Sequence, residues 1–340
     1  MTTVRLNVNR RQILAFRRRL GALDERLPPG RRSLRRAAWA GLQDSMPRAA
    51  LLSIHARVEG VKPSTWEDPS LVQIWGPRYN AYVVAARDLA FFTLGRLPDD
   101  AGDRQFAEDR AARLDVFLGG ARMTTREVGR ALGVHPGSHR YAAPTGRVLM
   151  RWDGAGQPVI WTIPPPEVDP EDARLELARR YLHIFGPATP ESFAEWAGIH
   201  RPQGRAAFTA LRRSLTPVRT PIGEAWILTR DEGEFRAAPG PVAPARLIPS
   251  GDAYFLLQGD DRRLLVPDAD RRGTLWTSRV WPGAILVKGD IVGTWRRSHD
   301  TVTMQTWRRL SRAEHDAVER EAASLPVPGV TGQIRVRWDA

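Results

Sequence analysis

The sequence predicts an α+β fold, in which three small helical modules that each end in a β-hairpin precede a β-rich C-terminal domain. The first indication is a repeat, because residues 124–134 and 189–199 align without a gap. Each copy has a polar cap, a short helix with small apolar residues on one side, a glycine and a branched apolar residue, which is typical of a helix-turn-helix. The second indication is that apolar runs around turn residues follow each copy, as in a hairpin. Helices followed by a hairpin predict a winged helix.

The first module, residues 1–100, is predicted from periodicity because it carries no copy of the repeat. Apolar residues at helical spacing indicate three helices, of which Ser33 caps the second. Two apolar runs around Gly76-Pro77-Arg78 indicate paired strands, so this region is also predicted to be a winged helix. The predicted helices are 9–20, 33–42 and 48–58, and the predicted strands are 71–75 and 81–84.

The second and third modules, residues 101–167 and 168–240, contain the two copies of the repeat. The winged-helix cassette of the second module begins near Arg104, and a short recognition helix is expected over 135–144. In the third module a strongly basic helix follows the repeat. Proline-rich linkers are predicted at 164–166 and 239–244. The other predicted elements are helices 171–185 and 203–215 and hairpins within 147–163 and 218–228.

The last region, residues 241–340, is predicted to be a small, β-rich, barrel-like domain. Its apolar runs are short and closely spaced, and Lys288-Gly289-Asp290 is predicted to be a hairpin turn. Ser311 and Glu314 form the sequence pattern of a capping box for a helix over 311–325. The predicted strands are 264–266, 284–287, 291–295 and 302–305.

The net charge of +13 indicates a polyanionic partner. All basic residues except Lys62 and Lys288 are arginines, and the basic residues exceed the acidic ones by 51 to 38. The predicted partner is double-stranded DNA. We expect the protein to act on it as a monomer.

Several classes of protein are excluded or disfavoured by what the sequence lacks. Without cysteine there are no disulfides, cysteine nucleophiles or iron–sulfur clusters. The seven histidines show no metal-ligand spacing and no phosphate-binding glycine loop occurs, so no cofactor and no metal are expected. No apolar run reaches the roughly eighteen residues of a membrane span, and residues 1–11 lack the apolar core of a signal peptide. The expected location is therefore cytoplasmic, at the nucleoid.

Motifs spread over nearly the whole length carry a family resemblance. The most specific are Gly-Pro-Ala-Thr-Pro at 186–190 and Val-Gly-Thr-Trp-Arg at 292–296. With these and the segments 41–43, 56–60 and 264–268, the chain resembles the tandem winged-helix DNA glycosylases of the AlkZ and YcaQ type. The resemblance implies three winged helices around DNA and a barrel-like C-terminal domain. It also implies hydrolysis of the N-glycosidic bond of alkylated or crosslinked purines.

The same resemblance implies a catalytic Gln-x-Gln or Gln-x-Asp pair, and the matching residues are Gln43, Asp44 and Ser45. Gln43 keeps the first glutamine of the pair, whereas Ser45 stands at the second position and Asp44 lies one residue out of register. We consider all three as candidate catalytic residues. Asn80 and Tyr82 are further departures, because the family often has threonine and histidine there.

Five arginines are candidates for DNA contacts. Arg78 lies in the turn between the first predicted strands, and Arg205, Arg212 and Arg213 belong to the basic helix of the third module. Arg57 either contacts DNA or pairs with an acid such as Glu59 or Asp68. His55 is expected to be a half-buried residue with satisfied hydrogen bonds. The alternative to a glycosylase is a non-catalytic winged-helix DNA binder that recognises damage or regulates transcription.

Overall fold

The computed structural model describes residues 6–237, 240, 243–257, 259–330 and 332–339. Within these ranges it contains thirteen α-helices and fourteen strands in three sheets, which confirms the predicted mixture of helix and sheet. Residues 1–5 of the segment examined for a signal peptide lie outside the described residues, as does much of the predicted linker 239–244. Among the helices in these ranges, none has both the length and the apolarity that crossing a bilayer requires.

The first region matches the predicted helices and strands except in its second helix. That helix begins at Arg31, has Ser33 inside it rather than as its cap, and ends at Ala37. The reason is Gly41, whose φ of +73° turns the chain so that the next two residues pair with another strand. The elements are β1 (Leu6–Asn7), α1 (Arg10–Leu20), α2 (Arg31–Ala37), β2 (Leu42–Gln43), α3 (Ala49–Arg57), β3 (Leu71–Trp75), β4 (Ala81–Ala85) and α4 (Leu89–Thr93).

In the middle of the chain, the two copies of the repeat form equivalent helices, α6 and α8. Thr124 and Thr189 cap them through capping boxes, and Gly133 and Gly198 end them in the left-handed conformation. The expected recognition helix of the second region is a 3-10 helix, Pro136–Thr145, because its prolines and glycine disfavour a regular α-helix. The elements are α5 (Ala101–Leu118), β5 (Met123–Thr124), α6 (Thr125–Leu132), β6 (Val148–Arg151), β7 (Val159–Thr162), α7 (Pro170–Phe185), α8 (Pro190–Ala197), α9 (Arg201–Ala210), β8 (Leu215–Thr220), β9 (Gly223–Leu228) and α10 (Glu232–Arg236).

The hairpins of the first two regions join into one sheet. Its strand order is β2-β4-β3-β6-β7-β5, and Gln73 on β3 is paired with Met150 on β6 at the junction. The third hairpin forms a separate sheet, in which β1 runs parallel to β8. The N-terminal segment therefore pairs with a strand about 200 residues further along the chain, and the successive regions are interleaved rather than strung in a row.

The C-terminal region is an open sheet in the order β10-β11-β12-β13-β14. In the described residues β10 and β14 are its edges, so no closed barrel forms. The predicted strand 264–266 is wrong, because Leu264 and Leu265 are buried residues of a helix; so short an apolar run does not distinguish the two structures. The hairpin turn at 288–290 and the capping box at Ser311 are confirmed. The elements are β10 (Arg246–Ile248), α11 (Asp261–Leu265), α12 (Ala269–Leu275), β11 (Gly283–Val287), β12 (Asp290–Ser298), β13 (Thr301–Thr306), α13 (Arg312–Ala323) and β14 (Arg335–Trp338).

The largest hydrophobic core crosses the boundaries between these regions. Phe16 of α1 stacks on Phe235 of α10 with ring centroids 3.9 Å apart, and both rings are fully buried. Arg17, also buried, donates to the carbonyl of Gly186 and pairs with Asp261 at 3.0 Å. Through these contacts helix α1 connects the first region, which contains the candidate site, to the third and the C-terminal regions.

Candidate active site

Gln43 lies on the short strand β2, and neighbours on three sides fix its carboxamide. Its Oε1 accepts a hydrogen bond from Arg78 Nη2 at 3.0 Å and a longer one from the Tyr82 hydroxyl at 3.4 Å. Gly251 packs on the opposite side, where a Cβ would come within 3.0 Å of Gln43 Nε2. The side chain is half-buried, so it is both held in one orientation and accessible.

The turn that presents Arg78 is supported by the third region. Arg78 and Tyr79 both have left-handed backbone conformations, with φ of 54° and 57°, which non-glycine residues adopt at a cost of about 1–2 kcal/mol each. Gly198, at the end of the second copy of the repeat, packs directly on this turn. A Cβ there would lie 2.7 Å from the Arg78 backbone nitrogen. The repeat thus contributes to the position of Arg78.

Asp44 faces away from Gln43, into the interior. Its side chain is 0% exposed, because consecutive residues of an extended strand point to opposite sides. One carboxyl oxygen accepts from the Ala50 backbone N–H at 2.9 Å, in the first turn of α3, and the other accepts from Gln73 Nε2 at 2.8 Å. Burial raises the pKa of Asp44 to about 7, although these hydrogen bonds and the nearby Arg48 oppose the rise. Its direct role in this geometry is to cap α3.

Gln73 is a site-supporting residue that the sequence reasoning missed. It is buried, and besides donating to Asp44 it accepts from the Trp152 backbone N–H at 2.6 Å. It therefore connects the segment 43–45 to the hairpin of the second region. A signal was available, since a glutamine at an inward position of an otherwise apolar strand needs buried polar partners.

Ser45 is exposed and completes the accessible surface beside Gln43. Its hydroxyl donates to Asn80 Oδ1 at 3.4 Å. No hydrogen bond joins Ser45 to a histidine or a carboxylate within the described ranges, so it has no general base as a partner there. We call Gln43, Ser45, Arg78 and Asn80 the candidate site.

Arginines that the sequence did not single out add positive charge near the candidate site, and Arg48 and Arg151 interact electrostatically with the neighbouring Asp44. The guanidinium groups of Arg48 and Arg151 lie 4.4 and 4.7 Å from the ring centroid of Trp66. Arg262 stacks on Trp281 at 5.2 Å. Its pKa is lowered by burial and also by repulsion from Arg78. Such a surface attracts phosphates.

The predicted DNA-binding arginines are in very different environments. Arg57 is 3% exposed, and its guanidinium donates to both carboxyl oxygens of Asp252 at 2.6 and 2.7 Å. Its partner is therefore not Glu59 or Asp68, as the short sequence spacing suggested, and the group is not presented to a phosphate. Arg205 is exposed and pairs with Glu191 at 2.9 Å.

Arg212 and Arg213 are exposed in a 3-10 turn, Arg212–Ser214, rather than in a continuous basic helix. Neither forms an ion pair with any residue that the structure describes. Arg78 is half-buried, because its Nη2 donates to Gln43 and its Nη1 is buried without a hydrogen-bond partner among the described residues. Arg212 and Arg213 are therefore the most accessible of the predicted arginines.

His55 is buried, as expected of a histidine with satisfied hydrogen bonds. It contacts Ser324 Oγ at 3.1 Å, and burial lowers its pKa to about 3.

In the described part of the chain, one group of side chains has ligand atoms close enough together to hold a metal ion. The group consists of His315, Asp316 and Glu319 on α13. The Trp338 indole already donates to Glu319 at 3.0 Å, and none of the three belongs to the candidate site.

The fold agrees with a match to a known family. Residues 34–326 match the family model described as DNA glycosylase AlkZ-like, and the chain therefore belongs to that family. It is similar to an interstrand DNA cross-link repair glycosylase of Streptomyces sahachiroi, with 27% identity over 203 residues. That match covers 56% of this chain and 54% of the relative, so it spans about half the length of the curated relative.

A solved structure has a similar fold over nearly the whole chain. The DNA glycosylase AlkZ of Streptomyces sahachiroi is similar with a TM-score of 0.78, covering 98% of this chain and 100% of that one. At 21% sequence identity, the likeness concerns the fold.

Proposed function

We propose that this protein binds duplex DNA and hydrolyses the N-glycosidic bond of an alkylated or crosslinked purine. The observation that carries the proposal is the Gln43 carboxamide, fixed by Arg78, Tyr82 and Gly251 beside the exposed Ser45. Membership of a DNA glycosylase family supports it.

The chemistry suits a site without a strong base. A purine alkylated at N7 carries a positive charge, so the C1′–N9 bond breaks with its electron pair moving to the purine and neutralising the ring. Water then attacks C1′ and its proton passes to solvent. Gln43 Nε2 can donate to that water and Ser45 Oγ can accept from it. Their contribution is to position the water rather than to deprotonate it.

We also propose how the DNA is held. The regions 1–100, 101–167 and 168–240 act as three winged helices, and 241–340 as a further supporting domain. The succession of α8, α9 and the β8–β9 hairpin supports this interpretation for the third region. Arg78, Arg212 and Arg213 contact phosphates, with Arg205 joining them if its pair with Glu191 opens. The protein acts as a monomer in the cytoplasm, at the nucleoid.

The test is base release from a duplex with a single 7-methylguanine, followed by separating free base from DNA. The wild-type protein is expected to release the base faster than the protein-free duplex does. Gln43→Ala should slow release by about 100-fold, the magnitude typical of removing one positioned polar group. Gln305→Ala, at an exposed glutamine on β13, is the matched control and should behave like wild type. Absence of release over hours, with binding intact, would contradict the proposal.

A non-catalytic DNA binder is the second candidate function. It is favoured by the burial of Asp44 and by Ser45, which together leave no carboxylate among the described residues of the candidate site. The same assay separates the two candidates, since such a protein binds the modified duplex in a salt-dependent way and releases no base.

A further inference from the structure

Arg96 is buried close to the turn that presents Arg78, and no described carboxylate neutralises it. It ends the 3-10 turn Leu94–Arg96 that follows α4, and it is 3% exposed. Within the described ranges it forms no ion pair, and its Nη2 has no hydrogen-bond partner. Burial lowers the pKa of Arg96 to about 10, so the guanidinium still carries its charge at neutral pH.

A buried charge without a counter-ion is costly to a folded protein, and carbonyl partners offset only part of that cost. Neutral side chains of similar volume stabilise an interior as well as buried charges do, or better. Stability alone therefore does not account for an arginine at this position, and its contacts indicate what the guanidinium does instead.

The guanidinium of Arg96 joins the two segments that lead into and support the Arg78 turn. Its Nη1 donates to the carbonyl of Trp75 at 3.2 Å, at the last residue of β3. Its Nε donates to the carbonyl of Ala197 at 2.8 Å, at the last residue of α8. The next residue is Gly198, which packs on the Arg78 turn from the third region. One rigid, planar group therefore fixes the separation of the two segments.

A ring contact connects Arg96 to the turn itself. The guanidinium lies 4.9 Å from the centroid of the Tyr79 ring, a distance at which a cation is attracted to an aromatic face. Tyr79 follows Arg78, and both have left-handed backbone conformations that persist only with support from their surroundings. Arg96 therefore contacts the strand before the turn, the turn, and the end of the helix that packs against it.

We propose that Arg96 is a positioning residue of the candidate site. Its planar fork keeps the Arg78 turn in place, and with it the hydrogen bond from Arg78 to the Gln43 carboxamide. The effect of Arg96 on base release rests on the proposed glycosylase function, whereas its effect on the orientation of Gln43 does not.

The experiment compares Arg96→Lys with Arg246→Lys. A lysine keeps the charge, but its single ammonium group on a flexible stem cannot reproduce the planar fork. Arg246, on β10, is also buried and forms no ion pair in the described part of the chain, and its Nη1 donates to the Ala245 carbonyl at 3.0 Å. It is the matched control for the loss of a buried guanidinium.

The first readout is the proton and nitrogen resonances of the Gln43 carboxamide, assigned by their loss in Gln43→Ala. They should move in Arg96→Lys and stay in place in Arg246→Lys. The second readout is single-turnover release of 7-methylguanine at saturating protein, where affinity does not enter. It should be about tenfold slower in Arg96→Lys and unchanged in Arg246→Lys. Arg96→Met removes the buried charge together with the fork, and it should give the same two results if the lysine variant does not fold.

The two readouts separate this inference from the proposed function. If the wild-type protein releases no base, the glycosylase function fails and the resonances alone decide the role of Arg96. If the Arg96 variants move the resonances no more than Arg246→Lys does, the proposal is overturned. Release that falls equally in Arg96→Lys and Arg246→Lys would also overturn it, because the loss would follow from lower stability. Displaced resonances with wild-type release would uphold the placement of Arg96 and contradict the role of Gln43 in the reaction.

Discussion

Gln43 and Asp44 are adjacent in the sequence, but the structure gives them opposite roles. The strand β2 pairs Gln43 with Tyr82, which directs the glutamine towards Arg78 and the carboxylate of Asp44 towards α3. The residue with the stronger acid–base chemistry is therefore inside, where it joins elements together. The neutral carboxamide is at the surface, where a substrate can reach it.

The buried carboxyl of Asp44 predicts a pH dependence of stability. Its pKa is raised from 3.8 to about 7, so between these values the folded protein binds the proton more tightly than the unfolded chain. This group therefore makes the free energy of unfolding fall as the pH rises through that window, by at most about 1.4 kcal/mol per unit. In urea unfolding at pH 5 and pH 8, wild type should lose stability relative to Asp44→Asn at the higher pH.

Comparison with the variant is essential because His55 titrates with the opposite effect. Its pKa is lowered to about 3, so burying it neutral makes stability rise with pH up to its ordinary value near 6.5. The difference between wild type and Asp44→Asn removes this contribution. Asp109→Asn, at an exposed position on α5, is the control for the substitution itself. A difference between wild type and Asp44→Asn that does not change with pH would contradict the raised pKa of Asp44.

At the scale of elements, the two copies of the repeat form the same helix caps, but the glycines that end the two helices have different surroundings. Thr124 and Thr189 cap their helices in the same way, and Gly133 and Gly198 end them with φ of 66° and 69°. Such caps could be predicted because all their interactions are local. What each glycine touches was not predictable, since Gly198 meets the Arg78 turn of a different region.

Gly198→Ala should therefore impair the candidate site. A Cβ at Gly198 would be 2.7 Å from the Arg78 nitrogen, so the turn must move and the bond from Arg78 to Gln43 is weakened. We expect base release to fall at least about tenfold, as a misplaced catalytic group costs. Gly133→Ala is the matched control, because it has the same backbone conformation and no atom within 4 Å of a Cβ. It should lower the unfolding free energy by about 1 kcal/mol and leave base release unchanged. Equal effects of both variants on release would refute the role of Gly198.

At the scale of the whole molecule, the sequence predicted hairpins but not how they assemble. The β3–β4 and β6–β7 hairpins follow from apolar runs around turns, whereas their union through Gln73 and Met150 depends on residues far apart in the chain. The pair of Arg57 with Asp252 is a similar case, joining α3 to the C-terminal region. The candidate site lies at such junctions. Gln43 could be predicted because it belongs to a sequence motif. Gln73, Arg48 and Gly251 could not, because their roles depend on residues far apart in the chain.

The net charge of +13 and the position of the exposed arginines predict how DNA binding depends on salt. Each phosphate contact steepens the slope of log affinity against log salt concentration by about 0.9. Arg212→Ala and Arg213→Ala should each reduce the slope by about one, measured by fluorescence anisotropy with an unmodified duplex between low and physiological salt. Arg320→Ala removes the same charge at an exposed position on α13 and serves as the control. If all three variants change the slope equally, Arg212 and Arg213 do not contact phosphates more than any other exposed arginine does. If the affinity of the wild-type protein does not depend on salt concentration, DNA binding through these arginines is refuted altogether.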